Sequence, residues 1–184
     1  GSHVEAGFGR TLLMALGSQY HYSALAQELS GLFWVNGRAY GRQNLHTGAD
    51  LDRAKNFLVM GWNGYVSSAG VNRARERIDE FSKDPSRQLI VVDPLRSETA
   101  RRANTHLQPR IGTIALFLKS LIAIILQEGW ENREFIAEHC KGFEQVQGWF
   151  RHFDVASGLR VCGLDPGAVR EVARIYATEP TAMR

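Results

Sequence analysis

Asn56-Phe-Leu-Val-Met-Gly-Trp-Asn-Gly-Tyr-Val-Ser-Ser68 and Gln88-Leu-Ile-Val-Val-Asp-Pro-Leu-Arg-Ser-Glu-Thr-Ala-Arg-Arg102 decide how this chain is read. In each, a short apolar run stops abruptly at residues able to hold a phosphate or a sugar. Between them, Arg73 to Phe81 has the spacing of a helix. Strand, polar loop, helix and strand in so short a span predict a βαβ unit. Its crossover puts both polar loops on one edge of a parallel sheet. That edge, outside the carboxyl ends of the strands, is where doubly wound folds bind nucleotides.

The rest of the chain fits that start. At 184 residues it can bury a full core, and 44% apolar with 22% charged residues is ordinary for a globular protein. A net charge of +3 gives no footprint for nucleic acid, so none is expected as a partner. Gly1-Ser-His3 looks like the scar of a cleaved expression tag, and residues 4–184 are expected to form a single α/β domain. The most apolar stretch, Ile114 to Leu126, is interrupted by Lys119 and Ser120 and is too short to span a bilayer. It is expected to be a buried helix from Thr113 to about Gln127, closed by Gly129.

Other segments carry plainer signals. Phe8 to Leu16 reads as a helix ended by Gly17, and Tyr22 to Leu29 as a second. Gly31 to Asp50, rich in Gly, Asn and Arg, reads as loop with one short strand at Leu32–Val35. Ser97 caps a polar turn through Arg102, with Glu98 just inside it. Thr105 to Pro109 is extended, and Pro109 confines it to an edge or a strand end. Asn132 caps a short helix through His139. Asp154 to Gly163 reads as loop. Asp165-Pro166 then opens a helix whose Val169, Val172, Ala173 and Ile175 share a face. The fold class is α/β: a Rossmann-like parallel sheet flanked by helices, helix-rich in its C-terminal half.

The polar loops supply the candidate site. Gly61, Trp62, Asn63 and Gly64 follow a buried strand, and glycine there lets backbone approach a ligand. Asn63 can donate and accept, and Ser67 and Ser68 add hydroxyls. A tight turn would use the same residues. Asp93 ends the next strand, where such folds receive donors from a nucleoside; an Asx turn is the alternative. Arg96, Arg101 and Arg102 can pair with a pyrophosphate or be solvated. Arg110-Ile-Gly112-Thr113 opens the long helix, whose free N–H groups suit an anion, with Thr113 as a plain N-cap the competing reading. The six histidines show no ligand spacing, and Cys140 and Cys162 form no C-x-x-C pair and are expected to be buried free thiols. No catalytic residue, metal ligand or P-loop is read from the chain.

Taken in order, these pieces resemble the dinucleotide-binding domain of the molybdopterin oxidoreductases over about Phe8 to Ala177. Asp50 to Asn63 resembles the family's acidic turn, apolar strand and G-x-N-P element. Val91 to Ala100 resembles its DPR-x-T-x-TA element, and Arg110 to Thr113 its R-P-G-T-D element. Glu128 to Ile136, Gly142 to Glu144 and Arg174 to Ala177 match landmarks further on. The resemblance implies binding of molybdopterin guanine dinucleotide, carrying Mo or W, in a full-length parent. A 4Fe-4S cluster belongs to that parent but not to this segment. Carried over by position, Gly61 and Asn63 line the phosphate region, Asp93 the guanine or ribose, and Arg96 and Thr99 their surroundings; Trp62, Ser67, Gly112 and Thr113 complete the cofactor-binding set. Three departures stand out: Gly64 for the Pro after Asn, Ile111 for the Pro of the third element, and Ile114 for its Asp. The chain therefore reads as an excised domain, inactive alone. Its expected partners are the parent's remaining domains and iron–sulfur or membrane-anchor electron-transfer subunits, with no membrane insertion of its own. Two other readings remain: a non-catalytic scaffold domain that has lost the pterin, and an NAD-binding dehydrogenase domain, disfavoured by the missing G-x-G-x-x-G fingerprint.

Overall fold

Alternation along two strands sets the architecture. In β1 (Asn56–Met60), Phe57 and Val59 face one side and Leu58 the other; in β2 (Gln88–Val92), Leu89 and Val91 oppose Ile90 and Val92. Both faces are apolar, so both must be covered, as parallel sheets require. The computed structural model describes residues 3–20, 22, 28–43, 45, 47–67 and 70–184. It forms two compact units, Gly1–Thr47 and Gly48–Arg184.

In the larger unit the sheet has the order β3-β2-β1-β4, with β3 at Thr105–Leu107 and β4 at Thr181–Met183, and all three pairings are parallel. Helix α3 (Ala74–Lys83) covers one face. Its Ile78 and Phe81 pack with Phe57, Val59, Leu89 and Val91. Helices α4 (Ile114–Gln127), α7 (Val155–Cys162) and α8 (Pro166–Thr178) contribute Phe117, Leu121, Leu159, Val169 and Val172 to the core on the other face. Each fully buried Phe or Val side chain is worth about 1.5–3 kcal/mol over its exposed state, so this double layer carries the unit's stability. Two more helices, α5 (Arg133–His139) and α6 (Phe143–Arg151), complete this half. The smaller unit holds α1 (His3–Ala15) and α2 (Ser30–Tyr40).

The α/β class, the βαβ unit, the edge position of the third strand and the long buried helix all appear as the sequence implies. Asn132 and Asp165 cap their helices, accepting from Phe135 N and Ala168 N. Four readings need correction. Leu32–Val35 is not a strand but part of α2, which ends at the left-handed Gly41. Asp154–Gly163 is not loop: Asp154 accepts from Ser157 N and starts α7. The misleading signal there was Gly158, which is a packing residue. A Cβ at 158 would come within 2.8 Å of the Phe153 ring and of Ser120 Oγ, so only glycine lets α7 lie this close to α4. Strand β4, three residues long and starting directly after Pro180, was not expected because it is too short to show a period. Of the two thiols, Cys162 is buried but Cys140 is exposed. The helix expected over Tyr22–Leu29 lies mostly outside the described residues.

Candidate functional site

The register of the sheet brings the polar loops together. Met60 pairs with Val92, Val92 with Leu107, and Leu58 with Met183, so residues 61–67, 93–99 and 108–113 all leave from one edge. Gly61 is exposed with φ +60, donates its N–H to Val92 O, and has no atom within 4 Å of where a Cβ would stand. That leaves bare backbone open to a ligand.

The first two loops are clasped by side chains. Asn63 Oδ1 accepts from Thr99 Oγ1 (2.9 Å) and more weakly from Thr99 N (3.4 Å), while its Nδ2 donates to Glu98 Oε2 (2.7 Å). The Thr99 hydroxyl in turn accepts from Tyr65 N at 3.2 Å. Thr99 is fully buried, so its hydroxyl serves the clasp in both directions. Tyr65 anchors the far end: its hydroxyl donates to Asp79 Oδ1 (2.8 Å), and the Arg102 guanidinium lies 3.4 Å above its ring. The hydrogen bond from Asn63 holds the Glu98 carboxyl below its ordinary range, with the charges of Arg101 and Arg102 adding to the effect.

Trp62 and Gly64 are matched to each other. A Cβ on Gly64 would lie 2.5 Å from the Trp62 ring and 2.7 Å from Ile78 Cδ1. Glycine in place of the expected proline is therefore what this Trp requires. The indole packs edge-on against Phe57, and its Nε1 is buried with no hydrogen-bond partner among the described residues.

Asp93 is half-buried at the tip of β2. Its Oδ1 accepts from Leu95 N (2.8 Å), which is the Asx turn, and its carbonyl meets His106 Nε2 at 2.9 Å. The second carboxylate oxygen takes no bond among the described residues. Arg96 is exposed and has no partner among them, and Leu95, standing where the family element has its arginine, is 68% exposed. Ser67 is exposed, its N–H bound to Asn63 O, whereas Ser68 lies outside the described residues.

The third loop behaves differently. Arg110 is turned away to serve α7, donating from Nη1 to the carbonyls of Val161 (3.1 Å) and Arg160 (3.3 Å). Gly112 has φ +84 in open space. Thr113 precedes α4 but does not cap it: its hydroxyl donates backwards to Arg110 O at 2.6 Å, because the residue sits at φ -105, ψ 6. Ile111 is 84% exposed, and Ile114 packs on the core.

Sequence reasoning missed Glu98 and Tyr65 as parts of this site. Glu98 read only as a first-turn acid, and a lone loop Tyr carries no signal for a partner fourteen residues on. Cavities lie elsewhere, for example one of about 470 Å³ bounded by Lys119, Trp149, Phe153 and Ser157. The edge is an open surface, so a ligand held there would have its other side free. Among the described residues no group of three or more His, Cys, Asp or Glu is placed to hold a metal ion, and no helix is long and apolar enough to cross a membrane.

No family model matches the chain. It is 28% identical over 133 residues to the F420-dependent formate dehydrogenase subunit alpha of Methanocaldococcus jannaschii, a match covering 72% of this chain and 19% of that protein. It is 33% identical over 95 residues to the acetylene hydratase of Syntrophotalea acetylenica, covering 52% of this chain and 13% of the relative. The solved acetylene hydratase from Pelobacter acetylenicus superimposes with a TM-score of 0.72 at 26% identity, over 92% of this chain and 23% of that one. The chain thus spans a fifth or so of the length of the relatives it matches. By sequence and by fold together, the chain is similar to one segment of the much longer members of the molybdopterin oxidoreductase family.

Proposed function

We propose that the carboxyl edge of the sheet holds the guanosine–pyrophosphate part of molybdopterin guanine dinucleotide in an oxidoreductase dependent on molybdenum or tungsten. The observation that carries this reading is the clasp of Asn63, Glu98 and Thr99. It fixes two loops side by side and leaves Gly61 backbone, one Asp93 oxygen and the Arg96 guanidinium open on one edge. A pyrophosphate needs close backbone and a cation; a nucleoside needs a carboxylate acceptor. Both kinds of group are present. The redox chemistry such a cofactor supplies is centred on its metal, and the residues of this chain bind and orient its nucleotide end. Thr99, buried and saturated, acts here by positioning Asn63 rather than by touching the ligand. Ser67, Gly112 and Thr113 stand in this reading as outer contacts. The parent's other domains and its iron–sulfur or membrane-anchor subunits complete the proposed assembly.

A second reading, a scaffold domain without pterin, is favoured by the third loop. There Ile111 is exposed, Ile114 is committed to the core and Arg110 to a helix end. Titration of GDP followed by amide chemical shifts separates the two. One segment supplies only part of the grip, so binding on the order of millimolar, about 4 kcal/mol, is expected, with residues 61–67 and 93–99 moving first. Asp93→Ala should abolish those shifts. No movement at these loops at millimolar GDP supports the scaffold.

A further inference from the structure

The clasp does more than hold two loops: it decides which groups the site offers. Both acceptor directions of Asn63 Oδ1 are taken by Thr99, so the amide cannot flip without setting its NH2 against the Thr99 N–H. Its Nδ2 gives one hydrogen to Glu98, and the second N–H has no acceptor among the described residues. Glu98 is exposed, and its Oε1 takes no bond from another side chain among them. What stands at the mouth of the first two loops is therefore one N–H donor beside one carboxylate acceptor.

We propose that Asn63 and Glu98 receive an uncharged edge of the nucleotide, one that offers an acceptor next to an N–H or O–H donor, and that the phosphates do not contact them. This rests on the reading of the edge as a nucleotide site, and it changes the place of Asn63 from the phosphate region to the base or sugar. The geometry argues against a phosphate there. An oxygen accepting from the second N–H would sit about 5 Å from Glu98 Oε2, given ordinary hydrogen-bond lengths on one nitrogen. Two anions at that spacing repel, and the carboxylate stays charged because Asn63 and the nearby arginines favour its ionised form. A base edge or a ribose hydroxyl meets no such repulsion, and gains a charge-assisted hydrogen bond from Glu98. Arg96, exposed and with no side-chain partner among the described residues, is the cation an anionic group would find instead.

Three probes test this on the 184-residue chain: guanosine, ribose and inorganic pyrophosphate, each titrated while the side-chain amide of Asn63 and the backbone of 61–67 and 93–99 are observed. Guanosine is expected to move the Asn63 amide pair, and Glu98→Gln to weaken that response by about tenfold or more, the loss expected when a charged acceptor becomes neutral. Pyrophosphate is expected to leave Asn63 still and to bind E98Q no more weakly than the native chain. If ribose alone reproduces the guanosine response, the edge received is the sugar; if it does not, the edge is the base. Pyrophosphate moving the Asn63 amide, and moving it at lower concentration in E98Q, would overturn the inference while leaving a nucleotide site in place. Absence of any response at either loop to all three probes overturns the inference together with the reading beneath it.

Discussion

The first two loops and the third leave the same edge of the sheet, yet they are built in opposite ways. Residues 61–67 and 93–99 are tied to each other by Asn63, Thr99 and Tyr65, so their polar groups keep fixed directions. Residues 108–113 are tied to a helix end instead: Arg110 and the Thr113 hydroxyl both serve backbone carbonyls, and the residues left outward are Ile111 and Gly112. The difference teaches where polar groups are held in fixed directions on this edge. A ligand on this edge would find organised donors and acceptors over β1 and β2, and little beyond backbone over β3.

Glycine substitutions probe that contrast most strongly. Gly64→Ala drives a Cβ into the Trp62 ring and Ile78, and overpacking of this kind costs about 2–3 kcal/mol. Gly112→Ala meets no atom and suffers only the left-handed backbone, about 1 kcal/mol. Urea unfolding of both variants should show G64A the more damaged, with a coupling to Trp62→Ala that G112A lacks. Equal losses would mean the third loop is as tightly built as the first, and the contrast would break.

The clasp itself comes next. Thr99→Val keeps the shape and removes a hydroxyl that serves both Tyr65 N and Asn63 Oδ1. Leaving these groups unpaired should cost about 2 kcal/mol. It should also free the Asn63 amide, seen as a loss of distinct, slowly exchanging side-chain N–H signals. A stability change below about 0.5 kcal/mol, the usual range of surface changes, would show that the loops are held by packing alone.

How far the sequence could be read follows the same divide. Strands β1 and β2, helix α4 and the helix at Pro166 announce themselves because one physical cause, burial of a periodic apolar face, writes a long signal. The loops after β1 and β2 were legible as a place, since Gly61, Asn63 and Asp93 belong to strand ends. Their internal wiring was not. Asn63 meets Glu98 and Thr99 across a helix and a strand, and only the parallel register of β1 on β2 creates that meeting. Helix α7 was hidden because Gly158 reads as a breaker until its contact with Ser120 and Phe153 is seen. In α2, Gly31, Asn36 and Gly37 gave the same false impression, and Asn36 is instead buried with its amide on Leu45 O.

The smallest effect on stability, and the sharpest test of the third loop, is expected from Ile114→Asp. Ile114 opens α4, is half-buried, and has no acidic residue beside it in the first turn. Removing its partly buried side chain should cost less than the roughly 1.5–3 kcal/mol of a fully buried one. A carboxylate at the start of a helix regains about 0.3–1 kcal/mol from the free N–H groups. The two nearly offset, so the thermal midpoint should fall by no more than a few degrees. Binding is where the variant should speak. If the third loop is the weak arm of a real guanine site, a carboxylate there adds an acceptor for the ligand's donors. GDP should then bind about tenfold more tightly, the return of one charge-assisted hydrogen bond, and shifts should spread from residues 61–67 and 93–99 into 110–114. Unchanged affinity with an intact fold would place the third loop outside the grip altogether, leaving a site of two loops. A midpoint that collapses would show instead that Ile114 is a core residue first, which would explain why no polar side chain stands there.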